Sequence, residues 1–400
     1  MATINLLWFT HVIGNIRQHL FLAKKSGGMN TCKPALTFAN EQDKAFANEL
    51  KHASKQYLEQ QQTHKYADGR FLAKLILLLT LAIIFYVCCL QAKTIIGYAL
   101  YFAAFMWTAM MLSMNSFHDA SHGSVFRKPA YNRWLMAMVC IPMGTDPHYW
   151  TLRHVHFHHT YPNIDGYDLD TEPNPALRQT PFQNWSPQYQ YQYLYWPLVA
   201  AISLGYLCWI SDWLDRFGKT PLATFSYLKQ RRYWLQFFLL KFVHLGVVFL
   251  IPLLALNDTQ IPWWQILVVY LLVQAFVSCF LVITILGTHW ADVEFFYPAT
   301  NNKIPHSWQR HAFLTACDWQ PRPRWLNHWL GGLDLHLTHH LLPGYSNRHY
   351  AALADIVAVL AEKHSLPYRR ISYTQLFKLQ QKFLKKMGQK PALKNAHSAE

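Results

Sequence analysis

The sequence predicts an all-α, multi-pass helical integral membrane protein, with about four transmembrane helices in two hairpins and a cytosolic helical cap. Charged residues make up only 14% of the 400 residues, against about 25% in soluble globular proteins. Four apolar runs reach about 20 residues, the length that a helix needs to span a bilayer. Polar segments rich in histidine alternate with these runs, as expected for a cap built on transmembrane helices.

The predicted spans form two hairpins with short tips. The first pairs residues 71–90 with 94–116, and the second pairs 234–256 with 262–287. Residues 134–145 are apolar but too short to span, and 193–211 are nearly long enough. One further span at 193–211 would put the last histidine cluster on the other side of the membrane from the first two. We therefore expect both segments at the membrane interface or against the cap. Their Trp and Tyr residues are favoured at the interface.

The net charge of +15 is concentrated in the loops that carry the histidine clusters, while the hairpin tips have few charges. The positive-inside rule then predicts that the clusters face the cytoplasm, across a bacterial inner membrane or the endoplasmic reticulum. This placement of Lys and Arg between apolar runs also disfavours nucleic acid as a partner. Lys241 and His244 fall within a predicted span; we expect Lys241 to snorkel to the cytosolic interface.

Three regions are predicted along the chain: a variable N-terminal segment (1–37), a membrane domain (38–360), and a C-terminal helix with a basic polar tail (361–400). Residues 38–66 read as a cytosolic helix before the first span, and 350–387 as a further helical region. The first 30 residues lack a clean signal peptide. Two interpretations of this segment remain open: it is an amphipathic surface segment, or the true start of the protein is Met29 and the segment comes from an upstream start codon.

The seven cysteines form no CxxC pair, so neither a disulfide scaffold nor a thiolate metal site is expected.

Histidines cluster in three segments at spacings of three and four residues, which place side chains on one face of a helix. His156 falls on another face and is not expected to be a ligand. The remaining cluster members are His118, His122, His154, His158, His159, His336, His339 and His340.

Eight histidines are enough ligands for two metal ions, since a zinc site takes about four. No cysteine joins them, and no carboxylate lies at ligand spacing, unlike the Glu-x-x-His pattern of soluble di-iron bundles. Imidazole suits iron, copper, zinc and nickel. His289 follows the last predicted span at the same level and is a candidate ninth ligand. The histidines outside these segments are expected to be packed or solvated side chains.

The clusters and their surroundings resemble the membrane fatty acid desaturases. The pattern HxxxH, HxxxHH and HxxHH matches, as do "NSFHDASHGSVFRKPAYNR", "LRHVHFHHTYPNIDGYDLD" and "LGGLDLHLTHHLLPGYSNRHY". The resemblance covers about residues 40–360. It implies a non-haem di-iron centre, O2 as co-substrate, and removal of two hydrogens from a fatty acyl chain, with the eight cluster histidines as iron ligands on which catalysis depends. The family often adds a histidine at the end of the last span, which favours His289.

Two features separate the chain from the front-end branch of that family. His336 is present where those proteins often have glutamine, and no His-Pro-Gly-Gly motif of a fused cytochrome b5 domain is found. The resemblance therefore implies a separate electron donor of ferredoxin or cytochrome b5 type. The implied substrate is a fatty acyl-CoA or an acyl-lipid, drawn from among membrane lipids.

Outer carboxylates should orient the metal-binding rings. Among the acidic residues near the clusters, Asp168 and Asp334 are the favoured candidates. Two rival functions remain: a hydroxylase or other oxygenase with the same metal site, and a membrane metal-binding or transport protein. Transport is disfavoured because the first two spans largely lack a path of polar residues.

Overall fold

The computed structural model of the protein describes residues 36–39, 41–224, 226–298, 302–321 and 323–391. Nearly all of the predicted variable segment, with Met29, and the end of the basic tail lie outside the described residues. The helices before the second hairpin are α1 (Lys44–Gln60), α2 (Gly69–Leu90), α3 (Ile95–Ser121), α4 (Pro129–Val139), α5 (Pro147–Thr151), the π-helical segment Leu152–His158 and α6 (Pro187–Arg216). The later helices are α7 (Arg231–Ala255), α8 (Trp263–Ile285), α9 (Trp308–Thr315), α10 (His336–Leu341), α11 (Tyr350–Lys363) and α12 (Tyr373–Gly388).

The strands of the described residues are short and form two parallel pairs. β1 (Thr37–Phe38) pairs with β2 (Lys303–Ile304), and β3 (Asp318–Gln320) pairs with β4 (Arg370–Ser372). The second pair joins the loop before α10 to the start of α12. It also divides the predicted helical region 350–387 into two helices, α11 and α12.

The chain is an all-α, multi-pass membrane protein, as its composition predicts. Helices α2, α3, α7 and α8 coincide with the four predicted spans, but α3 continues to Ser121, five residues beyond its predicted end. Side-chain caps fix the N-termini of the two helices of the first hairpin. Asp68 accepts a hydrogen bond from the amide of Phe71 at the start of α2, and Thr94 accepts one from the amide of Gly97 at the start of α3. Such caps satisfy amides that a helix leaves unpaired at its first turn.

Helix α6 is longer than its sequence predicts. It runs for 30 residues and is a fifth helix of sufficient length and apolarity to cross a membrane, whereas 193–211 alone is nearly but not quite long enough. Its first turns contact the cap: the Gln192 side chain accepts a hydrogen bond from the amide of Arg178 at 2.8 Å. Its last turn also contacts the cap, through an ion pair between Asp215 and Arg153 at 2.7 Å. Both ends of α6 therefore contact the same region of the protein.

The expectation that Lys241 snorkels to the interface is wrong. The side chain is buried, and its ammonium donates to the Gly144 carbonyl at 2.6 Å and to Asp212 at 2.7 Å. Asp212 lies on α6, far away in sequence, so the apolar pattern around Lys241 gave no sign of this partner. The pair instead fastens α7 to the end of α6.

Two apolar clusters organise the molecule. One lies between the membrane helices and includes Tyr98, Phe102 and Met106 of α3 with Val277 of α8. The other joins α1, α9, α10 and α11 in the cap. The histidine segments lie where these two parts meet.

Candidate metal centre

The first histidine segment is the end of the membrane helix α3. His118 lies in the last turn and is buried, and His122 caps the C-terminus and is only half-buried. The two rings lie 5.3 Å apart, measured between their centroids. The four-residue spacing thus brings both rings to one face, as the sequence predicts.

The second segment is a π-helix, which changes the predicted arrangement. The amide of His159 donates to the carbonyl of His154 at 2.9 Å, the five-residue step of a π-turn. His154 and His159 therefore group with the rings of the first segment, while His158 groups with His289, His336 and His340; His158 also lies within reach of His154 and Asp170. The expectation that all three share one α-helical face is wrong in this respect. His156 is exposed and outside both groups, as predicted.

The third segment is the short helix α10, whose histidines are all buried. His339 joins the first group, and its Nε2 lies 2.9 Å from that of His159. His336 and His340 join His158, and their own Nε2 atoms are 3.2 Å apart. The spacings of three and four thus divide this segment between two groups.

His289 completes the second group. It follows α8 in a short 3-10 turn, and its Nε2 lies 2.8 Å from that of His336. Its Nδ1 contacts the Thr315 carbonyl at 3.0 Å. The first group is His118, His122, His154, His159 and His339, and the second is His158, His289, His336 and His340. The ligand atoms within each group all lie within 4.8 Å of one another.

Hydrogen bonding between the rings does not account for the first group. Its Nε2 atoms make three contacts in series, from His118 to His154 to His159 to His339, at 2.8, 3.1 and 2.9 Å. A neutral ring nitrogen has either one proton or one lone pair. Four nitrogens can therefore make at most two of the three hydrogen bonds. A shared cation satisfies all four lone pairs together, so the residues present fit a metal ion.

The contact distances also fit metal coordination. Metal–nitrogen bonds to histidine are about 2.1 Å long, so two nitrogens at right angles around one ion lie about 3.0 Å apart, and about 3.4 Å apart at a tetrahedral angle. The closest contacts in the two groups, from 2.8 to 3.2 Å, match the right angle. Two groups, each with its own set of convergent nitrogens, make a site for two metal ions.

Burial keeps most of these rings neutral, which metal binding requires. It lowers the pKa of His289 to about 3, and burial with neighbouring rings holds the pKa of His154 well below its usual range. His158 is the exception. Burial alone would lower its pKa, but the Asp168 carboxylate raises it to about 9.

Asp168 contacts His158, where a carboxylate that orients a metal-binding ring would lie. Its two oxygens lie 3.2 and 3.1 Å from Nδ1 of the ring, and backbone amides of Asn163 and Asp170 hold the carboxylate in place. Asp334, the other candidate, is buried, and its carboxylate has no hydrogen-bond partner among the described residues. Burial raises the pKa of Asp334 to about 8, so it is mostly neutral near pH 7.

Two outer contacts were not predicted from the sequence. The hydroxyl of Tyr350 lies 2.7 Å from Nδ1 of His339, and the Thr315 carbonyl serves His289. Every residue has a backbone carbonyl, so the identity of residue 315 gives no indication of this contact. Tyr350 stands eleven positions after its partner, with nothing in its local sequence to single it out.

The arrangement defines a helical membrane protein in which buried histidines, between the membrane helices and the cap, form two groups that fit metal ions. A family model described as Fatty acid desaturase matches residues 93–372. The chain belongs to the fatty acid desaturase family.

Curated relatives carry related names. A "Probable Delta(5) fatty acid desaturase C" of Dictyostelium discoideum is 26% identical, over 70% of this chain and 61% of its own length. An "Acyl-lipid (8-3)-desaturase" of Physcomitrium patens is also 26% identical, over 70% and 62%. The "sn-1 linoleoyl-lipid 6-desaturase" of Synechocystis is 28% identical, over 64% and 71%. The chain thus spans about three fifths of the length of the first two.

Proposed function

We propose that the protein is a membrane fatty acyl desaturase, which uses O2 at a histidine-ligated di-iron centre to introduce a double bond into an acyl chain. The observation that carries the proposal is the convergence of nine histidines, from four places in the sequence, into two adjacent metal-binding groups. Family membership and the names of the relatives support a fatty acyl substrate.

Iron is favoured over zinc by the number and spacing of the ligands. Structural zinc sites are almost always tetrahedral with four ligands, and catalytic ones keep three. The first group offers five nitrogens, and the contact distances fit right angles instead. Two iron ions would activate O2 to remove two hydrogens from adjacent methylenes. Reduction of O2 to two waters would take two electrons from the acyl chain with those hydrogens and two more, with two protons, through the separate electron donor.

The side chains of this protein hold and orient the metal site. Asp168 accepts from Nδ1 of His158 and so leaves its Nε2 free for a metal ion. Tyr350 and the Thr315 carbonyl fix His339 and His289 in the same way. All nine histidines except His122 are buried, which keeps bulk water away from the metal-binding nitrogens.

We also propose four membrane crossings with the metal centre on the cytoplasmic side. Three helices, α6, α7 and α8, lie between the second and third histidine segments, so an odd number of crossings would separate segments that are in contact. Contacts of both ends of α6 with the cap support a helix that lies along the cap and does not cross the membrane. The cationic loops beside the cap support the cytoplasmic side, and would also suit an acidic, separate electron donor.

Desaturation is favoured over hydroxylation because the relatives reported above are all named desaturases. The test is mass spectrometry of lipids from a host that expresses the protein, with double-bond positions mapped. The proposal predicts new unsaturated chains, which disappear in His158→Ala but persist in the matched control His156→Ala. Hydroxylated lipids without a new double bond would overturn it.

A further inference from the structure

The short helix α10 carries three of the nine histidines of the two metal-binding groups, although little in its own sequence holds it in place. It has six residues, whereas an isolated helix needs roughly 12 or more to be stable in water. Leu335, the residue before its first turn, has no polar side chain that could cap the free amides there. The orientation of the three rings therefore depends on contacts from other elements.

One such contact comes from Asp318 on β3, whose side chain is completely buried. One carboxyl oxygen accepts from the amide of Thr338 at 3.1 Å, and the other accepts from the Thr338 hydroxyl. The hydroxyl of Tyr368 donates to that second oxygen at 2.9 Å. Both oxygens of the buried group are thus satisfied, and two of their three donors belong to α10.

The backbone of β3 gives Asp318 a defined position. Its amide donates to the Arg369 carbonyl at 3.0 Å, and the amide of Trp319 donates to the Asp334 carbonyl at 2.7 Å. The Trp319 side chain is buried in the apolar cluster between the membrane helices. The strand is therefore bound both to the segment that enters β4 and to the loop that leads into α10.

Thr338 lies on the back of the ligand helix. An α-helix turns by about 100° per residue, so His336, His339 and His340 fall within an arc of about 100°. Thr338 lies about 150° from the middle of that arc. Asp318 therefore holds α10 from the side that faces away from the ligand rings.

Both metal-binding groups depend on the orientation of α10, because the helix divides its histidines between them. His339 belongs to the first group, and His336 and His340 belong to the second. Side-chain atoms lie about 5–6 Å from the axis of a helix, so a rotation of α10 by about 10° would move them by about 1 Å. A displacement of about that size is enough to impair a binding site.

We infer that Asp318 is a positioning residue of the metal centre: through Thr338 it fixes the rotation of α10 about its axis, and with it the ligands of both groups. The inference deepens the proposed function and rests on it for the presence of metal at the two groups. The rival interpretation is that Asp318 only stabilises the packing of the cap. Loss of Asp318 would then lower thermal stability but leave metal binding by the folded protein unchanged.

Titration of the full-length protein with Co²⁺, after removal of its own metal, separates the two roles. Imidazole binds Co²⁺, whose visible absorption depends on the geometry of its ligands. In Asp318→Asn an amide nitrogen replaces one accepting oxygen, and we expect Co²⁺ affinity to fall by about 10- to 100-fold, with altered absorption. Asp355→Asn is the matched control, because Asp355 is an exposed carboxylate that pairs with Arg370 on the neighbouring strand β4; it should bind Co²⁺ as the wild type does.

Thr338 offers a milder pair of variants, which keeps the test available where Asp318→Asn fails to fold. Thr338→Val removes the hydroxyl and keeps the size of the side chain, and it should lower Co²⁺ affinity by about tenfold. Thr338→Ser keeps the hydroxyl and should bind as the wild type does. Wild-type affinity and absorption in folded Asp318→Asn or Thr338→Val, whatever their thermal stability, would overturn the inference and leave the proposed function standing. A wild-type protein that binds no Co²⁺ would contradict the proposed metal centre and, with it, the role of Asp318.

Discussion

Replacing Asp168 with Asn tests how the protein controls one metal ligand. The Asp168 carboxylate is fully buried and lies 3.1 Å from Nδ1 of His158. Asn has nearly the same shape and can still accept a hydrogen bond, so the substitution removes the charge with little change in packing. Without that charge, burial is the main influence on the His158 pKa and lowers it.

The size of the effect follows from the two pKa values. With a pKa of about 9, His158 in the metal-free protein is about 97% protonated at pH 7.5, and a metal ion must displace that proton. In Asp168→Asn the pKa falls to about 6.5 or below, so at most about 10% of the rings are protonated. Proton release from His158 on metal binding should fall from about one to about 0.1 per chain. The metal affinity of the neutral ring, corrected for proton competition, should fall by up to about 10- to 100-fold, because a neutral amide orients the ring more weakly than a carboxylate does.

Isothermal titration of the metal-free protein with Fe²⁺ under anaerobic conditions measures both quantities. Repeating the titration in buffers of different ionisation enthalpy gives the number of protons released. Asp334→Asn is the matched control: Asp334 is buried and mostly neutral, and its carboxylate makes no hydrogen bond to a histidine of the described residues, so release and affinity should stay near those of the wild type. Release of a full proton by Asp168→Asn would refute this account of His158.

Three further predictions concern other parts of the structure. His289→Ala should lower the metal content of the purified protein from about two ions to about one per chain, while His156→Ala should leave it unchanged; a full complement in His289→Ala would exclude it as a ligand. Lys241→Met should destabilise the protein by about 3–5 kcal/mol because it leaves a buried carboxylate without its partner, and adding Asp212→Asn should restore part of the loss in thermal unfolding; no recovery would contradict the pairing. Tyr350→Phe should weaken metal binding by about tenfold and leave the fold intact, as measured by titration and circular dichroism; unchanged affinity would show that the hydroxyl does not support the site.

The histidines that come together in the two groups could be predicted from sequence because their signal is local. Each histidine segment carries ligands at helical spacing, and Asp168 lies only ten residues beyond its partner His158. The sequence signal for the four predicted membrane helices is equally local, since a run of apolar residues is sufficient to indicate each one. His289 could be proposed because the end of a span fixes its level relative to the other segments.

The division of the histidines between the two groups could not be predicted. His154 and His158 have the spacing of one α-helical face, but the π-helical segment pairs His154 with His159 instead. A π-turn differs from an α-turn by one hydrogen-bond step and has no distinct sequence pattern. Tyr350 and Lys241 were missed or misplaced for another reason: their partners come from elements that only tertiary packing brings together.

The iron content of the purified wild-type protein tests the central claim most directly. Elemental analysis by mass spectrometry, after expression with iron available and removal of loosely bound metal, counts the ions in each chain. The two groups of five and four histidines predict about two iron ions per chain, with little zinc. A single exchangeable zinc ion, or a chain that keeps no metal while correctly folded, would contradict the account.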